Sequence, residues 1–211
     1  MNEMRPFFLR GEISKEERFT MGKKNLKVRR FVTVAMLGSI SFVIMLLNFP
    51  LPGFPTFLKI DFSDVPALIA VLTMGPVAGI LVELLKNVLE WIYVGSPTGV
   101  PVGQMANFAT GVLFILPVYY IYNKFTSVKG LIVSLIIATV TMSVGMAILN
   151  YVAFIPMYAH FMNYQLEAYE TIVLGILPFN LIKGVMLFVV VLLLFKTMNK
   201  WIESQRAQFL A

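Results

Sequence analysis

Seven polar side chains interrupt an otherwise apolar chain: Glu83 and Asn87 at i and i+4, Gln104 and Asn107 at i and i+3, Asn150, and Asn180 with Lys183 at i and i+3. Residues three or four apart share one face of a helix, so three of these sets are pairs that point the same way. Most are amides, which donate and accept hydrogen bonds without carrying charge. Such a group suits a neutral solute with several donors and acceptors. For each amide the competing reading is a hydrogen bond that ties two helices together. Lys183 is different, because a lysine near the centre of an apolar helix costs about 2.5–3.5 kcal/mol to insert and must face a partner or a wet cavity. Glu83 is the natural partner, and Lys86 is expected to turn away and snorkel outward.

The same inventory limits other chemistry. One histidine, His160, and no cysteine argue against a catalytic metal site, and His160 is expected in an exposed loop. An intramembrane enzyme would need a paired base and nucleophile, for which Glu83 with Glu90 or Lys183 are the available candidates. No G-x-x-x-x-G-K-[ST] loop is present to cradle phosphates.

The elements that carry these residues are membrane helices. Charge is absent from 31–58, 65–82, 91–123 and 130–160, and from 171–195 except for Lys183. A spanning helix needs about 20 apolar residues, and the mean hydropathy is +0.82. The chain reads as an all-α integral membrane protein with six helices, at 30–49, 64–74, 76–94, 100–123, 129–158 and 170–200. Residues 1–29 form an N-terminal segment, whose first 20 residues read as an extension before Met21, 30–200 the membrane domain and 201–211 a tail. The second helix is too short to span alone. Gly75-Pro76 breaks it from the third, so the two are expected to pack as a buried broken pair.

Lys and Arg in short flanking segments stay cytoplasmic. Lys23, Lys24, Lys27, Arg29 and Arg30 precede the first helix, Lys124 and Lys129 flank the turn after the fourth, and Lys196, Lys200 and Arg206 follow the sixth. Six crossings put all three groups on one face, with both termini inside. The net charge of +6 follows from this bias, and no aromatic-interleaved basic patch indicates nucleic acid. With this orientation, all seven polar residues fall in the outer halves of their helices. That is a pocket opening away from the cytoplasm, with no polar path to the inner side.

The segment 50–66 holds four prolines and a glycine beside Phe54, Phe57, Leu58, Ile60 and Phe62. It is too broken for a helix and too apolar for an idle loop, so it is expected to fold down as a lid carrying Phe57, Leu58, Lys59 and Asp61. Ser63 or Asp64 can cap the second helix, with Pro66 in its first turn, so Asp64 reads as a cap rather than a ligand contact. Trp91, Tyr93 and Phe108 are candidates to wall an aromatic solute, or else anchors at the membrane interface.

The segments Leu58-Lys-Ile-Asp-Phe-Ser-Asp-Val-Pro66, Glu83-Leu-Leu-Lys-Asn87, Gly103-Gln-Met-Ala-Asn107 and Asn180-Leu-Ile-Lys183, in this order, resemble the riboflavin-specific substrate-binding subunit, or S component, of bacterial energy-coupling factor transporters. The resemblance implies a six-helix binder of riboflavin without enzymatic activity or cofactor. It would sit in the bacterial cell membrane and work with a transmembrane coupling subunit and two cytoplasmic ATPases. It also implies that small residues on the first helix, here Ala35 and Ser39, dock the coupling subunit. An S component for another vitamin such as thiamine is the nearest alternative. A self-sufficient channel or secondary transporter is a further one.

Overall fold

The computed structural model describes residues 15–97, 99–162 and 167–210. Helix α1 (Lys15–Met45) begins earlier and ends sooner than expected. Its extra N-terminal turns belong to the segment expected to precede the membrane, and residues 1–14 of that segment lie outside the described residues. The α1 stripe that packs inward is Val34, Gly38, Ser41 and Met45, spaced by four, three and four, while Phe31, Met36, Ile40 and Val43 face out. Gly38 is required at the contact with the third helix: a Cβ there would lie 2.4 Å from Leu85 Cδ2.

After α1 the chain makes a small hairpin not foreseen in an all-α reading. Strands β1 (Phe49–Pro50) and β2 (Lys59–Ile60) pair antiparallel, with Phe49 opposite Ile60 and Pro50 opposite Lys59. Helix α2 (Asp64–Met74) follows and is buried on almost every side, with ten of its eleven residues inaccessible. Gly75, at φ 92°, makes the break that an L residue with a side chain would resist. Pro76 then opens α3 (Pro76–Val94), where its missing N–H costs nothing. Arg30 donates to the carbonyl of Met74 at 2.5 Å and caps the end of α2 from α1. The broken pair is therefore real, with α2 enclosed by α1, α3, α4 and α8.

Helix α4 (Val102–Lys124) and α5 (Val128–Leu149) form an antiparallel pair, and the Ser127 hydroxyl caps α5 by accepting from the Gly130 N–H at 3.0 Å. A π-helical turn, Asn150–Phe154, leads into α6 (Ile155–Met162). Residues 163–166 of the expected outer loop lie outside the described residues. Helix α7 (Ala168–Glu170), a second π-helical stretch, Thr171–Ile176, and α8 (Leu177–Leu210) complete the chain. The region read as a C-terminal tail is a continuation of α8 as far as Leu210.

Among the described residues, four stretches are long and apolar enough to cross a membrane: Asn25–Met45, Val102–Lys124, Val128–Phe161 and Ala168–Phe209. The 19-residue α3 carries Glu83, Lys86 and Glu90. Phe31, Ile92, Tyr120, Val152, Leu174 and Leu193 are exposed. Such a surface has a bilayer for its solvent.

Candidate functional site

The polar residues converge at the hairpin end of the bundle, where two adjoining chambers of about 270 and 90 Å³ share Phe57, Lys59, Gly103, Asn107 and Tyr158. The larger is completed by Met45, Asn48, Asp61, Glu90, Ser96, Pro97 and Gln104. The smaller takes Leu58, Ala106, Thr110, Met146, Asn150, Ile176, Phe179, Asn180 and Lys183. The hairpin supplies the cover. Phe57 meets Tyr158 with ring centroids 5.9 Å apart, and Phe54 meets Phe179 edge-on at 6.0 Å. Pro55 and Leu58 lie over Gly175, where a Cβ would sit 3.6 Å from Pro55.

The amides are held by their own helices. Asn150 Nδ2 donates to the Met146 carbonyl and Asn180 Nδ2 to the Ile176 carbonyl, each at 2.8 Å. One amide proton and the carbonyl oxygen of each are left for another partner. Gln104 Nε2 donates to Glu90 Oε2 at 2.5 Å and to the Gly95 carbonyl at 3.0 Å. Gln104 Oε1 and Asn107 Oδ1 are buried and receive no hydrogen bond. Unpaired buried acceptors cost about 1–3 kcal/mol each, and a ligand that donates to them removes that cost.

Behind the cavity lies a cluster of buried charges whose pairing differs from expectation. Lys183 does not pair with Glu83: its Nζ lies 3.0 Å from Asp64 Oδ2 and 3.6 Å from Asp61 Oδ2. Lys86 does not snorkel. It is wholly buried, in contact with Asp64 Oδ1, 2.8 Å from Glu83 Oε2 and 2.9 Å from Ser63 Oγ. The physical reason is proximity: the hairpin brings Asp61 and the start of α2 between α3 and α8, so Asp64 offers one oxygen to each lysine. Asp64 is thus an ion-pair bridge and not a cap. Ser63 occupies the N-cap position without a side-chain capping bond. Instead its hydroxyl and N–H donate to Asp61 Oδ1, and its carbonyl accepts from Ser41 on α1.

Of the seven residues singled out, Gln104, Asn107, Asn150, Asn180 and Lys183 line the chambers. Glu83 and Asn87 are buried beside them without lining either. Asn87 Nδ2 folds back on the Glu83 carbonyl at 2.8 Å. The four hairpin residues, Phe57, Leu58, Lys59 and Asp61, all reach the chambers. Trp91 and Tyr93 are exposed on the outer surface of α3, and Phe108 lines neither chamber. The ring walls are Phe57, Tyr158 and Phe179. Tyr158 lies in a helix that extends past its expected end and Phe179 in an unbroken apolar run, so neither carried a polar signal. His160 is exposed on α6. Ala35 lies away from the cavity, in an apolar groove of about 560 Å³ between α1 and α3 that also takes in Val34, Val77, Ala78 and Leu81. Ser39 is exposed on the same helix.

Residues 29–195 match the family model described as "ECF transporter, substrate-specific component". The chain is 54% identical over 186 residues to the riboflavin transporter FmnP of Bacillus subtilis (strain 168), spanning 86% of this chain and 98% of that protein. It is 42% identical over 188 residues to the riboflavin transporter RibU of Staphylococcus aureus (strain TCH60), again over 86% and 98%. A solved structure of the S component of a bacterial ECF transporter superposes with a TM-score of 0.71 at 42% identity, covering 83% of this chain and 98% of that one.

Proposed function

This chain belongs to the family of ECF transporter substrate-specific components, a multi-pass membrane protein of the bacterial cell membrane, and on that premise we propose that it binds riboflavin in the two-chambered cavity. The observation that carries the reading is the lining itself: aromatic and aliphatic walls from Phe57, Leu58, Tyr158 and Phe179 set against the hydrogen-bonding capacity that Gln104 Oε1, Asn107, Asn150 and Asn180 leave unused. A flat tricyclic ring needs the first, and its uracil-like edge and ribityl hydroxyls need the second. The relatives named as riboflavin transporters support this choice of ligand. Lys183 supplies the buried cationic donor of the smaller chamber, and Glu83 and Asn87 act from behind the lining.

We further propose six crossings, with α2 and α3 forming the second and third, both termini cytoplasmic, and the cavity at the outer face. The excess of Lys and Arg on the three segments opposite the hairpin supports that orientation. Energy comes from a transmembrane coupling subunit and two ATPases, and Ala35 and Ser39 are where α1 meets the coupling subunit. With the polar cluster gathered at the hairpin end of the helices, the subunit reorients as a body to release its solute.

The test is titration of the purified protein with riboflavin, followed by quenching of flavin fluorescence and by calorimetry. One-to-one binding without ATP or metal is expected. Binding of thiamine or biotin with no response to riboflavin would replace the ligand assignment.

A further inference from the structure

The charge cluster behind the cavity does not balance. Asp61, Asp64 and Glu83 meet only Lys86 and Lys183, so the five groups together carry one negative charge too many, and all are at most 3% exposed. Lys59, which lines both chambers, is solvent-exposed on the hairpin and makes no ion pair with any of the five. Helix α1 has no Asp, Glu, Lys, Arg or His between Arg30 and its end and contributes Ser41, α4 has none before Lys124, and α5 has none after Lys129. On α3 itself, Glu90 faces the larger chamber and is engaged by Gln104. A lone buried charge of this kind is strongly disfavoured and is relieved by neutralisation.

The residue left over is Glu83. Asp61 accepts from Ser63, and Asp64, whose Oδ2 lacks a well-angled hydrogen bond, still has a lysine against each of its two oxygens. Glu83 is wholly buried, and although its Oε2 lies 2.8 Å from Lys86 Nζ, neither carboxylate oxygen receives a hydrogen bond at an acceptable angle. One turn along the helix, Asn87 Oδ1 is also buried and also lacks a donor. A proton on the Glu83 carboxyl would turn an acceptor into a donor in a place where acceptors are in excess. A cation would not fit as well. The carboxyl presses on the backbone of Gly111 in α4, where even a Cβ would come within 2.2 Å of Oε2, and no group of three His, Cys, Asp or Glu side chains among the described residues is arranged to hold a metal.

We propose that Glu83 is a proton-binding site: a neutral carboxylic acid, wedged between α3 and α4, that balances the Asp61–Lys183–Asp64–Lys86 chain. Its proton is thus a structural ligand of the fold, separate from the solute.

Infrared spectroscopy of the full chain in lipid nanodiscs, in sodium-free neutral buffer, tests this without any substitution. The wild type should show a carboxylic-acid C=O band that shifts when glutamate is supplied with ¹³C at its side-chain carboxyl. Glu83→Gln should remove the band. So should Asp64→Asn, because Glu83 must then ionise to supply the charge Asp64 no longer carries, with folding of each variant checked by circular dichroism. Absence of the acid band in the wild type would overturn the proposal. So would a band that ignores the glutamate label, which would place the proton on an aspartate, or one abolished by adding sodium, which would make this a cation site. Persistence of the band in folded Asp64→Asn would overturn the charge balance on which the proposal rests.

Discussion

The amides of the cavity and the charges behind it meet on α8, yet they are satisfied in opposite ways. Asn150 and Asn180 each spend one N–H on a carbonyl of their own helix and keep the remainder free. Asp61, Asp64, Lys86 and Lys183 spend their capacity largely on one another, across α2, α3, α8 and the end of the hairpin. The first arrangement fixes a side chain while leaving it available. The second joins the hairpin, α3 and α8 and leaves little for a ligand. Buried polarity in one small region thus serves recognition in one place and attachment in the other, and Lys183 belongs to both.

This division is broken most severely at Lys86. It touches no chamber, and removing it leaves the buried Asp61 and Asp64 with only Lys183 between them, so Lys86→Ala should cost about 3–5 kcal/mol of stability, read from denaturant unfolding. Lys183→Ala should lower both unfolding stability and riboflavin affinity, whereas Asn180→Ala should weaken affinity by about 1–3 kcal/mol in fluorescence titration and leave the unfolding midpoint nearly unchanged. Equal stability losses in Asn180→Ala and Lys86→Ala would erase the distinction. Gly111→Ala adds one methyl against the Glu83 carboxyl and should destabilise by about 1–3 kcal/mol through overpacking. The smallest effect on binding belongs to Ala35→Trp and Ser39→Trp. Riboflavin affinity should stay within error while uptake in cells carrying the coupling module is lost, and normal uptake would remove these residues from the docking face.

Much of this arrangement was legible in the residues. The i, i+3 pairs placed Gln104 with Asn107 and Asn180 with Lys183 correctly on shared faces, and Gly75-Pro76 gave the break between α2 and α3. The Pro-rich, Phe-rich segment gave the cover over the cavity. Ion pairing was not legible, because it depends on where the hairpin sets down Asp61 and Asp64, and helical spacing within α3 carries no information about that. Asp64 read as a cap because local spacing favours a cap, and tertiary placement overrode it. Tyr158 and Phe179 were hidden for a related reason, since an aromatic in an apolar helix looks the same whether it faces lipid or a ligand.

The two π-helical stretches, Asn150–Phe154 and Thr171–Ile176, bear on how a change of chain length would reach the site. A π turn accommodates a residue beyond what an α turn would hold, so deleting a single residue within either stretch can be absorbed by reverting it to α geometry. The cost falls on one side only. Asn180 and Lys183, anchored by the packing of α8, keep their bearing, while everything between the two stretches swings by about 100°. Such a change spares Asn180 and Lys183 but turns Tyr158, which lies between the two stretches and walls both chambers, so the length of each π stretch is tied to the aromatic wall it sets.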